Sequence, residues 1–189
     1  MQHWRVLLDL DGTVAQNAGR RIAAEQFGIV MTEEQSGQRL PELLGLTDDQ
    51  FWAWWHENQE QIYDQAEPLP GAAGTVRALK ASGAHIAVVT ARRESSRLVT
   101  AAWLNRFGIP YDEMVFSADD KVAVARGLGL TVGFEDDPLN AVALADVIPV
   151  ILIENLKNRG QEIVHDQVFR VSGWQEVLPL LRRLGARPA

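Results

Sequence analysis

A chain of 189 residues, 47% of them hydrophobic, can bury one substantial core and carry a small added subdomain. Its formal net charge of −7 offers no basic surface to nucleic acid or anionic lipid, and the lack of cysteine excludes disulfides, thiolate catalysis and cysteine-based zinc sites. The opening MQHWRVLLDLDG meets an acid after too short an apolar run for a signal peptide or membrane span, so a cytoplasmic protein is expected.

The first apolar run, Trp4 to Leu10, reads as a strand that ends in DLDGT. Side chains two apart on a strand share a face, so Asp9 and Asp11 are expected to converge at its carboxyl edge. Two carboxylates that close repel unless a proton or cation lies between them. Gly12 lets the chain turn away, and the Thr13 hydroxyl is expected to brace that turn through nearby backbone. Alone, Asp-x-Asp-Gly reads equally well as a turn with a capping acid.

Residues 15–67 then break the alternation of strand and helix. Arg20 to Phe27, Glu33 to Leu44 and Asp48 to Tyr63 have helical patterning, and the stiff turn PLPG closes the segment. An insertion after strand one hangs over the ligand crevice of an open α/β sheet. It is therefore expected to be a helical cap, with residues 1–14 and 68–189 forming the α/β core. In the third helix Phe51, Trp55 and Ile62 make one stripe, the cap's own core. Trp52 and Trp54 point elsewhere, and Trp52 is a candidate to stack on a nucleobase.

Four further strands follow, His85 to Thr90, Met114 to Phe116, Thr131 to Glu135 and Val147 to Ile153, with a sixth at Val168 to Val171. Helices are expected between them: Gly71 to Ser82, one from Ser95 or Ser96 to Gly108, one capped by Asp119 or Asp120 running to Leu128, Pro138 to Ala145, and Trp174 to Leu184. The alternation predicts a Rossmann-like parallel sheet flanked by helices. Residues 155–171 carry no functional signal.

Three strand ends hold chemistry. Thr90 offers a hydroxyl beside the backbone amides of Ala91 and Arg92, suited to phosphate oxygens. Arg92 and Arg93 are alternative contacts to a second anionic group, or plain charged surface. Lys121 begins a helix from which its ammonium can reach the same edge. Glu135, Asp136 and Asp137 close the fourth strand; Asp137 precedes Pro138 and suits a helix N-cap, leaving Glu135 and Asp136 as hard oxygen donors of the kind Mg²⁺ prefers.

DLDGT, then Thr90, Lys121 and the acids of FEDD, in that order, resemble the four motifs of the haloacid dehalogenase-like hydrolase superfamily, over Trp4 to about Glu154. PLPGA, VVTAR, TAAWLNRFGIPYDEMVF and FEDDPLNA are more narrowly similar to its 5′(3′)-deoxyribonucleotidase-like branch of bacterial nucleotidases. The fourth motif reads Glu-Asp where a typical member has Asp-Asp. The resemblance implies Mg²⁺ held by Asp9, the Asp11 carbonyl and Asp136, with Glu135 alongside. It implies Asp9 as the nucleophile that forms an aspartyl-phosphate and Asp11 as acid and base, with a protonated fraction near neutral pH. Thr90, Ala91, Arg92 and Lys121 would hold the phosphoryl group of a small phosphorylated molecule, a nucleoside monophosphate on the narrower likeness. A phosphatase or phosphomutase of another small metabolite, or a nucleic-acid-end phosphatase, shares these motifs, though net acidity counts against the last. A receiver-like module would need an acid where Ser117 stands, and a dinucleotide-binding turn would need more glycine than DLDGT contains.

Overall fold

The computed structural model describes residues 3–16, 18–30, 32, 35 and 38–185. Six strands form one parallel sheet: β1 (Arg5–Leu8), β4 (His85–Val89), β5 (Glu113–Val115), β6 (Val132–Glu135), β7 (Val150–Ile153) and β8 (Val168–Val171), in the order β5-β4-β1-β6-β7-β8. This is the doubly wound Rossmann order, whose crevice opens where the chain reverses direction, between β1 and β6.

Alternation along these strands supplies a core to each face of the sheet. Val6 and Leu8 of β1, Ile86 and Val88 of β4, and Val132 and Phe134 of β6 point to one side. There they meet Val76 and Leu79 of α4 (Ala72–Ala81), Trp103 and Leu104 of α5 (Arg97–Arg106), and Val177, Leu180 and Leu181 of α8 (Val177–Gly185). Leu7, Ala87, Val89, Val150 and Leu152 point to the other side, against Ala125 of α6 (Lys121–Gly127) and Ala141 and Leu144 of α7 (Pro138–Ala145). Each fully buried Leu, Ile or Phe here contributes about 1.5–3 kcal/mol over leaving it exposed. No helix among the described residues is long and apolar enough to cross a membrane.

Between β1 and β4 stand α1 (Gly19–Phe27), α2 (Leu40–Leu44) and α3 (Asp48–Asp64). The long helix expected from Glu33 is only α2; residues 33, 34, 36 and 37 lie outside the described residues. Thr47 opens α3 with a reciprocal capping box to Gln50. The anticipated aromatic stripe divides: Phe51 packs with Ala23 and Leu40, whereas Ile62 packs with Ala18, Ile22 and Tyr63, and Trp54 and Trp55 border both groups. A two-stranded antiparallel ribbon absent from the sequence reading, β2 (Ala15–Gln16) with β3 (Glu67–Pro68), sets the two ends of this helical segment side by side.

One boundary matters for the site. β1 ends at Leu8, not Leu10, because three successive amides, Thr13, Val14 and Ala15, fold back onto the Leu10 carbonyl. Asp9 and Asp11 therefore do not sit on one continuous strand face, and the two-residue alternation that would make them converge does not apply.

Candidate active site

Asp9 leaves the end of β1 with its amide donating to the Phe134 carbonyl of β6 (3.2 Å), which brings it to the switch point, where its side chain is 9% exposed. Lys121 opens α6, whose first turn is capped by Asp120 accepting from the Ala123 amide. The Lys121 Nζ donates to Asp9 Oδ1 (2.7 Å) and to Glu135 Oε1 (2.6 Å), both bonds buried. Thr13 Oγ1 donates to Asp9 Oδ2 (2.8 Å) and lies 3.3 Å from Asp136 Oδ1, so this hydroxyl serves carboxylates rather than the backbone it was expected to brace. Asp9, Glu135 and Asp136 each bring a carboxylate oxygen within 4.8 Å of the others.

Gly12 is what lets Asp136 close in. It has φ +91°, and a Cβ there would stand 2.1 Å from Asp136 Oδ2. Asp137 caps α7 by accepting from the amides of Leu139 and Asn140, the role its place before Pro138 suggested.

Asp11 turns the other way. Its Oδ2 and Oδ1 accept from Arg92 Nε (2.7 Å) and Nη2 (2.8 Å), and its side chain stands outside the acid cluster. Arg92 is 3% exposed, not charged surface; its Nη1 donates to Thr100 Oγ1 (3.0 Å) and its guanidinium carbon lies 3.9 Å from the centre of the Tyr63 ring. Thr90 is buried at the end of β4 and accepts from the Arg92 amide (3.2 Å). Ala91 and Arg93 beside it are exposed. Trp52 is 52% exposed on α3 and stacks on His56, with ring centres 6.0 Å apart.

A family model described as 5′ nucleotidase, deoxy (pyrimidine), cytosolic type C protein matches residues 3–187. The chain belongs to this family. Among its relatives, a "putative nucleotidase" of Halalkalibacterium halodurans is 30% identical over 174 residues, covering 89% of this chain and 88% of that protein. A nucleotidase of Clostridium acetobutylicum is 23% identical over 188 residues, 97% of this chain and 96% of its own. Of solved structures, CbbY from Rhodobacter sphaeroides in complex with phosphate superposes with a TM-score of 0.63 at 19% identity, covering 93% of this chain and 96% of that one, a likeness of fold. The chain is thus a nucleotidase-family phosphoric monoester hydrolase with a haloacid dehalogenase-type fold.

In this nucleotidase-family hydrolase the buried acids resist ionising together. Burial pushes the Asp9 carboxyl above its usual range, against the pull of Lys121 and Thr13. Burial and the charge of Asp9 raise Glu135 to about 8 and Asp136 to about 7. Lys121, although desolvated, is held firmly cationic by Asp9 and Glu135. Asp9 and Glu135 share the Lys121 ammonium, Asp136 is met only by neutral Asn155 and Thr13, and Glu135 Oε2 is buried with no hydrogen-bond partner among the described residues. Such a set of hard oxygen donors fits a divalent cation such as Mg²⁺.

The sequence reading missed the residues that hold Asp136. Asn155 Nδ2 donates to Asp136 Oδ2 (2.7 Å), and buried Asn158 donates to the carbonyls of Asp136 (2.7 Å) and Ile153 (2.9 Å). Both asparagines follow β7, in the stretch that seemed silent. Two asparagines at the carboxyl end of a parallel strand, beside the switch point, were the available signal.

Proposed function

We propose that this hydrolase is a Mg²⁺-dependent phosphatase of small phosphate monoesters, nucleoside monophosphates in particular, that acts in the cytoplasm through an aspartyl-phosphate. The observation that carries the reading is the placement of Lys121 between Asp9 and Glu135, with Asp136 close by. A carboxylate nucleophile must approach an anionic phosphoryl group, and it can do so only where positive charge offsets both.

Asp9 attacks phosphorus through one of the two carboxylate oxygens that Lys121 and Thr13 orient, and the ester P–O bond breaks. Once substrate binding frees the Asp11 carboxyl from its pair with Arg92 and it takes up a proton, it passes that proton to the departing alcohol oxygen. Asp11 then takes a proton from water, which attacks phosphorus, splits the acyl-phosphate and releases inorganic phosphate with Asp9 restored. Thr90 and the amides of Ala91 and Arg92 orient the phosphoryl oxygens, and Lys121 keeps Asp9 and the phosphate from repelling each other. A bound Mg²⁺, with Asp9, Asp136, Glu135 and the Asp11 carbonyl as its donors, supplies neutralisation of the phosphoryl charge.

Residues 15–67 act as the cap that selects the substrate, over a core made of residues 1–14 and 68–189. The ribbon of β2 and β3 supports that division, since it gathers both chain crossings at one place. The exposed face of Trp52 is suited to stacking on a base.

Phosphate release from a panel of nucleoside monophosphates, sugar phosphates and p-nitrophenyl phosphate, with and without Mg²⁺, tests the proposal. Nucleoside monophosphates with Mg²⁺ should be turned over best. Asp9→Asn should lower turnover on the order of a thousandfold or more with an unchanged unfolding transition. Near-wild-type turnover by Asp9→Asn would refute the nucleophile assignment.

A further inference from the structure

We propose that Trp174, which the C-terminal segment brings behind the site, is a positioning residue for the nucleophile: its indole N–H fixes the Thr13 carbonyl and so aims the Asp9 carboxylate at phosphorus. The inference rests on the nucleophilic role of Asp9 in the proposed reaction.

Asp9 is steered from two sides. Its Oδ1 accepts from Lys121 Nζ and its Oδ2 from Thr13 Oγ1, and the two bonds together set the plane of the carboxylate. Lys121 is held in addition by Glu135, whereas the Thr13 hydroxyl is only as well placed as the turn that carries it. That turn is tied at the Thr13 amide, which donates to the Leu10 carbonyl (3.2 Å), and at the Thr13 carbonyl, which accepts from Trp174 Nε1 (2.8 Å) in the buried interior.

Trp174 itself has little freedom. It is 1% exposed, its ring lies on that of Phe134 of β6 with centres 5.4 Å apart, and its carbonyl accepts from Thr75 Oγ1 of α4 (3.4 Å). Phe134 is also the residue whose carbonyl accepts from the Asp9 amide, so one indole braces both the strand end and the turn that present the nucleophile. A second indole supplies a matched control. Trp103 Nε1 donates to the Ala66 carbonyl, likewise at 2.8 Å and buried, but Ala66 is not part of the turn that carries Thr13.

A misaimed carboxylate attacks more slowly while Thr90 and Lys121 still hold the phosphoryl group. The ratio kcat/KM, which reads the steps up to departure of the alcohol, should therefore fall, and competitive inhibition by inorganic phosphate should not change. A bond that only supports the fold lowers the unfolding midpoint and moves neither.

The experiment measures kcat/KM on a nucleoside 5′-monophosphate and on p-nitrophenyl phosphate with Mg²⁺ present, the inhibition constant of inorganic phosphate, and the unfolding midpoint. The proteins are the wild type, Asp9→Asn, Thr13→Val, Trp174→Phe, Trp103→Phe and the double variant of Thr13→Val with Trp174→Phe. Phenylalanine keeps a ring against Phe134 and removes the N–H. Trp174→Phe should lower kcat/KM about 10-fold or more on both esters with phosphate inhibition unchanged, and Trp103→Phe should stay within about twofold of wild type. Trp174→Phe should add almost nothing to Thr13→Val, because both act through one hydroxyl. If Trp174→Phe does not fold, benzothienylalanine at position 174, with sulfur in place of the N–H, carries the same test. A loss no greater than that of Trp103→Phe, a matching loss of phosphate inhibition, or losses that multiply in the double variant overturn the inference. If Asp9→Asn keeps near-wild-type kcat/KM, the nucleophile assignment falls, and this inference falls with it.

Discussion

Gly12 and Asp136 define the site at the scale of single residues, because the backbone of one and the carboxylate of the other occupy the same small space. Gly12→Ala would place a methyl group on Asp136 Oδ2 and force an L-residue into φ +91°. We expect it to destabilise the fold by about 2–4 kcal/mol in denaturant unfolding. Gly45→Ala, at φ +65° with open space around it, should cost only about 1 kcal/mol. Equal costs would mean that Asp136 does not press on this turn. Asp9, Lys121 and Asp136 were legible in the sequence because strand ends and helix starts converge by topology. The partners of Asp11 and Thr13 were not, since they depend on the strand stopping at Leu8. Nor was the burial of Arg92, which runs against the usual exposure of arginine and is compensated by Asp11, Thr100 and Tyr63.

The loop after β7 is the element that shapes the acid pair. Asn158 bridges two carbonyls across the loop and also accepts from the Asn155 amide (3.0 Å) and from Arg170 of β8 (3.2 Å). Removing it leaves the buried Ile153 carbonyl unpaired, at a cost of about 1–3 kcal/mol, and strips a bond from each of three partly buried groups. Asn158→Ala should therefore lower stability and, on the proposed reading of Asp136 as a Mg²⁺ ligand, weaken Mg²⁺ binding about 10-fold or more in calorimetry. Arg159→Ala, which breaks only an exposed pair with Glu154, should change neither. An unchanged affinity in Asn158→Ala would show that Asp136 is held by other means. All six strands were readable from apolar runs between turn residues. The β2–β3 ribbon was not, because two-residue strands carry no periodicity.

Across the whole molecule, the strand order places the ends of β1 and β6 on either side of one crevice, and so residues more than a hundred positions apart become one acidic site. The helical segment meets that site through Tyr63 and meets α5 through Val99 and the ion pair of Asp64 with Arg106 (2.8 Å). Protons and cations compete for the acids. Folded-state values of about 7 for Asp136 and about 8 for Glu135 lie above the ordinary carboxyl range. The metal-free fold therefore draws stability from their neutral forms at low pH and loses it progressively as pH rises from the ordinary carboxyl range, the loss being complete above about 7 for Asp136 and about 8 for Glu135. A divalent ion needs the ionised forms, so its binding should strengthen over the same interval. Titration calorimetry of Mg²⁺ into the protein, repeated from below about 7 to above about 8 and in buffers of different ionisation heat, tests the shared site most directly. The account predicts one site whose affinity rises with pH, with protons released on binding at the lower end and binding abolished in Asp136→Asn. Binding that is independent of pH and survives Asp136→Asn would contradict it.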